Sequence, residues 1–179
     1  MTNREIHRLA ARPHRLIAEA LQGLLVGEIL SPGQRILIAS PWIRDVPVLD
    51  NTGGRFTALN SAWGSRTIRL SAVLRTLLER GTEVYLHVGP GPKEAEFVRR
   101  LGEGARTDGT DQRLHPHIST HDPGDVLDHQ KVIAADEWAV FGSMNLTYRG
   151  VELNGELVTV STDPARVARL ITEVMGLFP

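Results

Sequence analysis

The sequence predicts an α/β fold, a mixed, largely parallel central β-sheet flanked by helices. Strand-length apolar runs at Arg35–Ser40 and 82–88 are separated by a strongly helical stripe over 68–80. Strand, helix, strand in that order predicts a crossover between parallel neighbours. Further helical stripes lie before and after this unit, placing helices on the sheet's faces. With 179 residues, 41% of them hydrophobic, one sizeable core is affordable, so 1–179 reads as a single domain.

Residues 14–29 carry Leu16, Ile17, Ala20, Leu21, Leu24, Leu25 and Ile29 at helical spacing, an N-terminal helix packed on the domain. Ser31-Pro32-Gly33 breaks it, and Arg35–Ser40 follows as the first central strand. The stretch 41–67 has no clean period and reads as a long loop. It holds Trp42, Arg44, Arg55, Trp63 and Arg66, groups able to flank a phosphate backbone or stack on bases. Trp42 and Trp63 serve equally well as anchors of a structural loop. The helix over 68–80, with Leu70, Val73, Leu74, Leu77 and Leu78 on one face, stops at Gly81. His87, inside the 82–88 strand, reads as a satisfied sheet histidine. After Gly89-Pro90-Gly91-Pro92, a short helix is expected over 93–101, a polar loop over 102–111 and a strand over 114–120. Glu156–Ser161 reads as a strand, and Asp163-Pro164 opens a last helix with Val167, Leu170, Ile171 and Val174 on one face.

The absence of cysteine excludes disulfides, thiolate zinc sites and a cysteine nucleophile. A net charge of −1 neither attracts nor excludes a polyanion, so any nucleic-acid surface is local. His115, His117 and His121 have no carboxylate or cysteine at a familiar ligand spacing; they read as polar-face residues, and no metal site is expected. The first residues show no leader and no apolar stretch is long enough to cross a bilayer, which predicts a cytoplasmic protein without a membrane partner.

The chemistry concentrates in Asp128-His129-Gln130-Lys131-Val132-Ile133-Ala134-Ala135-Asp136, then Phe141-Gly142-Ser143-Met144-Asn145 and Asn154-Gly155-Glu156. Two residues apart on an extended segment, His129 and Lys131 share a face and can reach one anion. Val132–Ala135 reads as the buried continuation of that strand, with Asp136-Glu137 as the turn into a return strand over 138–141. Gly142 ends the return strand, so that Ser143 and Asn145 can present a hydroxyl and an amide beside the His/Lys pair. Lys93 and Lys131 are the only lysines in an arginine-rich cationic set, which marks Lys131 as a point-charge donor.

This pattern, His-x-Lys, four residues, Asp, then Gly-Ser-x-Asn, resembles the signature of the phospholipase D superfamily, with a hairpin turn one residue shorter than usual. The order of strands, hairpin and final helix fits along most of the chain, which then corresponds to a phospholipase D-like half-unit. The superfamily's active sites use two such motifs, and this chain contains one. The resemblance to small single-motif bacterial endonucleases therefore implies a homodimer with His129 of each copy at a shared phosphate. It implies a phosphohistidine mechanism without cofactors: one His129 attacks, the other protonates the leaving oxygen, and Lys131, Asn145 and Ser143 hold the phosphoryl oxygens. Glu156 matches the family's acid that accepts a histidine N–H, and Asp136, the motif's acid, falls to a structural role near the turn. Taken singly, Glu156 also reads as an exposed strand carboxylate and Ser143 as a turn-capping hydroxyl.

The expected substrate is DNA or RNA. A phospholipid or small phosphodiester is the alternative, and a non-catalytic nucleic-acid-binding subunit a further one. Ser40-Pro41-Trp42-Ile43 with Val48-Leu49-Asp50-Asn51 also resembles, more weakly, phospholipase D-like proteins of bacterial DNA-modification and restriction clusters, which implies partners from such a system and a role in defence.

Overall fold

A computed structural model of the chain describes residues 3–9, 15–119 and 129–178. Its elements run β1 (Asn3–Arg8), α1 (Leu16–Leu30), β2 (Arg35–Ser40), β3 (Pro47–Asp50), β4 (Thr67–Arg69), α2 (Leu70–Glu79), β5 (Glu83–Val88), α3 (Pro92–Thr107), β6 (Leu114–Ile118), β7 (Val132–Ala135), β8 (Ala139–Gly142), β9 (Glu156–Ser161) and α4 (Pro164–Met175). The main sheet has seven strands in the order β1-β9-β8-β7-β2-β5-β6, and β3 pairs with β4 apart from it. His121 and Asp128 lie outside the described residues.

The sheet is mixed, with parallel pairs, and helices cover it, as the sequence predicts. Its parallel share is smaller than expected: β2 is parallel to β5 and β5 to β6, while the other pairs of the main sheet are antiparallel. The difference arises because the β7–β8 hairpin is extended outward by β9 and then β1, and short connections reverse the chain.

Alternation along β2 explains the layers. Ile36 and Ile38 face the core formed with α1, α2 and α3, whereas Leu37 and Ala39 face α4 through Val167, Leu170 and Val174. Strand β2, buried on both faces, is for that reason a continuous apolar run. Each leucine, isoleucine or valine among them taken fully out of water contributes about 1.5–3 kcal/mol.

Three segments differ from the sequence reading. Residues 41–67 are not an open loop: Leu49 pairs with Ile68 across β3 and β4, and a 3-10 turn spans Ser61–Trp63. Asn51, 0% exposed, organises the segment: its amide donates to Gly64 O at 2.6 Å and Thr57 Oγ1 at 3.2 Å and accepts the Phe56 N–H at 2.6 Å. Strands this short carry no readable period. Helix α3 runs through Gly102 and Gly104, because Leu101 and Ala105 extend the buried stripe begun by Phe97 and outweigh about 1 kcal/mol per glycine. Strand β1 had no sequence signal of its own; it is recruited by β9, with Ile6 opposite Val158 and Arg8 opposite Glu156. No helix among the described residues is long and apolar enough to cross a membrane.

Candidate active site

Strand direction gathers the site. Because β7 runs antiparallel to β2, β8 to β7 and β9 to β8, the end of β2, the start of β7, the end of β8 and the start of β9 lie at one edge of the layers. Trp42, His129 with Lys131, Ser143 with Asn145, and Glu156 all flank those ends. Val132–Ala135 is buried throughout, which fixes the strand that carries the His/Lys pair.

His129 and Lys131 meet as their spacing predicts. The Lys131 ammonium donates to His129 Nδ1 at 2.9 Å and to the His129 carbonyl at 2.9 Å. The indole of Trp42 packs edge-on to the imidazole, ring centroids 5.5 Å apart. Ser40, at the end of β2, donates to the Trp42 carbonyl at 2.9 Å and accepts the Leu146 N–H at 3.4 Å, tying the tryptophan's segment to the one bearing Asn145.

Gly142, at φ +147°, lies so close to Leu157 that a Cβ would overlap the Leu157 carbonyl oxygen. That approach lets Ser143 N–H donate to Leu157 O and Leu157 N–H donate to Ser143 Oγ, both at 3.0 Å. The Ser143 hydroxyl donates in turn to the Glu156 carboxylate. Asn145 Oδ1 is buried and meets no donor among the described residues; an acceptor left unpaired costs about 1–3 kcal/mol. A buried acceptor in that state calls for a water, an ion or a ligand group as its partner.

The structure brings together His129, Lys131, Ser143, Asn145, Glu156 and Trp42, and disperses the rest of the predicted set. Glu156 bonds to Ser143 rather than to His129, because the β8–β9 register puts Ser143 directly beside it. Asp136 lies at the far end of β7, about 16 Å of strand from Lys131. There it accepts Gln34 N–H at 2.5 Å and pairs with Arg35 at 3.3 Å, anchoring the start of β2. Trp63, at 3% exposure, belongs to the core and cannot stack on a substrate. Arg44 pairs with buried Glu94. Arg55 and Arg66 are exposed farther along the segment, Arg66 donating to Ala62 O at 3.2 Å.

Two positioning residues escaped the sequence reading. Arg8, 2% exposed, donates from Nε to Asn154 O at 2.6 Å and from its terminal nitrogens to the carbonyls of Gly150 and Val151. It clamps the π-helical segment Arg149–Leu153 that joins Asn145 to Glu156. Gly150 packs against the Asn145 backbone so closely that a Cβ there would overlap its carbonyl oxygen. The one signal for Arg8 is its two-residue spacing from Ile6, the buried residue of the same strand face.

The matching family model is described as "Cardiolipin synthase, PLD-like domain" and covers residues 25–177. The chain belongs to this phospholipase D-like family. Three solved structures share its fold. NucT from Helicobacter pylori has a TM-score of 0.59 and 12% identity, over 98% of this chain and 96% of that one. Nuc from Salmonella typhimurium, a phospholipase D family member, gives 0.58 and 14%, over 98% and 92%. Phosphatidylserine synthase of Haemophilus influenzae gives 0.60 and 16%, over 98% of this chain but 38% of its own. The phospholipase D-like chain thus matches the whole length of the two small proteins and a part of the synthase. No curated protein matches it.

Proposed function

We propose that the protein is a metal-independent phosphodiesterase, a DNA or RNA endonuclease working through a phosphohistidine in an active site shared by two copies of the chain. The observation that carries the reading is the convergence of His129, Lys131, Ser143 and Asn145 at one edge of the sheet. One His129 attacks phosphorus; the bond to the leaving oxygen breaks as the N–P bond forms, and His129 of the second copy gives that oxygen a proton. Water then attacks phosphorus, yields a proton to the second histidine and frees the first. Lys131 and Asn145 hold the non-bridging oxygens as charge accumulates, Ser143 adds a hydrogen bond, and Glu156 keeps Ser143 in place. Contributed twice, these donors take the electrostatic role a metal has in other phosphodiesterases.

Exposure supports the shared site. His129 and Ser143 are exposed, and the crevice among the described residues behind Lys131 and Gly142 holds about 10 Å³. That open half-site wants a second copy to close it. Trp42 and Arg44 stand nearest for the substrate strand, with Arg55 and Arg66 available for phosphates farther along it. A role in DNA-modification-linked defence, with partners from such a system, rests on the weaker resemblance around Trp42 and predicts unequal cleavage of methylated and unmethylated DNA of one sequence.

A phospholipid substrate is the second reading, favoured by the description of the family model. One assay separates them: single- and double-stranded DNA, RNA, bis(p-nitrophenyl) phosphate and anionic phospholipid vesicles, each with and without EDTA. Nucleic-acid cleavage that persists in EDTA and disappears in His129→Ala is the expected result. Loss in EDTA with rescue by a divalent ion overturns the metal-free scheme, turnover of vesicles alone transfers the assignment to lipid, and full activity of a sedimenting monomer overturns the shared site.

A further inference from the structure

His87 and His117 face each other across β5 and β6. They are register partners on these parallel strands, and their Nδ1 atoms lie 3.1 Å apart with the rings tilted by 55°. Alternation puts the pair on the α4 face of the sheet, beside Tyr85, because Leu86 and Val88 point into the opposite core. His87 is 7% exposed and His117 half-buried, so the pair has a closed inner end and an outlet to solvent. Phe178 flanks both rings, with centroid separations of 6.1 Å. The neighbouring His115 is engaged elsewhere, its Nε2 2.6 Å from Glu83 and its ring stacked on Tyr85.

Two Nδ1 atoms this close cannot both present a bare lone pair. The gap holds either one proton, as an N–H···N hydrogen bond, or a cation that accepts both lone pairs. Metal–imidazole bonds of about 2.0–2.1 Å set the nitrogens about 3.3 Å apart at a tetrahedral ion and about 2.9 Å apart at a right angle, which brackets the observed separation. We infer that His87 and His117 form a two-imidazole chelate for a late divalent transition ion of the zinc or copper class. Imidazole nitrogen suits these ions, whereas Mg²⁺ and Ca²⁺ take oxygen ligands. Among the described residues no group of three histidines or carboxylates is placed to hold a metal, so water completes the coordination from the His117 side. Phe178 gives the site an apolar shelter. The sequence reading of His117 as a polar-face residue could not anticipate this, since the second ligand comes from β5. The ion fastens the edge strand β6 to β5. It stands apart from the catalytic groups, because Lys131 alternates with Val132 toward the other face of the sheet, and it does not depend on the endonuclease reading.

Calorimetric melting of the full chain, untagged, stripped with EDTA and dialysed, tests this with Zn²⁺ and Cu²⁺ alone as probes. Zn²⁺ at a hundredfold excess over its dissociation constant is expected to raise the wild-type melting temperature by about 5–10 °C. His117→Ala, at a half-buried position, is expected to lose that shift, and His115→Ala, on the same strand face, to keep it. Electron paramagnetic resonance of the protein with one equivalent of Cu²⁺ counts the coordinated nitrogens, two in the wild type and fewer in His117→Ala. The wild-type spectrum decides the matter should a variant melt poorly. A wild type with no shift and no nitrogen-coordinated copper overturns the inference and leaves a shared proton in the gap. A shift that His117→Ala keeps, or that His115→Ala loses equally, overturns it too. Well below the melt, His117→Ala should hydrolyse bis(p-nitrophenyl) phosphate at the wild-type rate; a loss of turnover there overturns the separation of this ion from the catalytic edge.

Discussion

The Lys131 ammonium lies 2.9 Å from Nδ1 of His129, and an ammonium has only protons to offer. Neutral His129 in this arrangement therefore carries its proton on Nε2; the copy that protonates a leaving oxygen needs a second proton on the ring, as the imidazolium. In the proposed two-copy mechanism the nucleophilic copy needs Lys131 to leave Nδ1, and a phosphate bound there would give the ammonium a new partner. Lys131→Met is expected to lower phosphodiester turnover by about 10²–10³-fold. Nitrogen NMR of His129 is expected to show the Nε2–H tautomer in the wild type and a mixture in the variant; the same tautomer in both would exclude Lys131 as its determinant.

Arg8 holds the carbonyls of Gly150, Val151 and Asn154 from within the core. Arg8→Met keeps much of the volume but strands those acceptors, at a cost of about 1–3 kcal/mol. A fall in melting temperature of about 3–10 °C is expected, measured by calorimetry. Turnover measured well below the melt should fall as well, since Asn145 and Glu156 are joined by the segment Arg8 clamps.

Gly150→Ala puts a methyl group where the Asn145 carbonyl oxygen sits. The backbone must retreat, which costs about 1–3 kcal/mol as overpacking does. Because the displaced residue is Asn145, turnover is expected to fall more than stability, whereas Gly109→Ala, a glycine remote from the site, should affect stability alone. Equal loss of activity in the two variants would refute a local effect.

Asp108 is hydrogen-bonded by Arg75 on both oxygens, at 2.6 and 2.7 Å, and that guanidinium holds its carboxyl below the usual carboxylate value. A folded pKa below the unfolded one means stability that is fully present above the unfolded value, near 4, and is lost as pH falls through the folded value. The clasp is partly exposed, so about 0.5–1 kcal/mol is expected. Thermal melts of Asp108→Asn against wild type should show a gap at neutral pH that narrows below about pH 4; a gap constant with pH would assign the loss to packing instead.

By itself the sequence determined the central strands, the helices and the half-motif. Periodicity and the spacing of His129, Lys131, Ser143 and Asn145 are local properties that a chain cannot hide. The buried run Val132–Ala135 and the Asp163 cap, which accepts the Ala165 N–H at 3.0 Å, were legible for the same reason. Tertiary structure decided what depends on which distant segments meet. Trp42 reaches His129 while Trp63 sinks into the core, although both read alike as loop aromatics. Glu156 turns to Ser143 because of the β8–β9 register, and Asp136 anchors β2 from the opposite end of its strand. Arg8, far from the motif in sequence, came to its support only because β1 docks on β9. Burial and hydrogen-bond partners are set by pairings between remote segments, and local spacing carries no record of them.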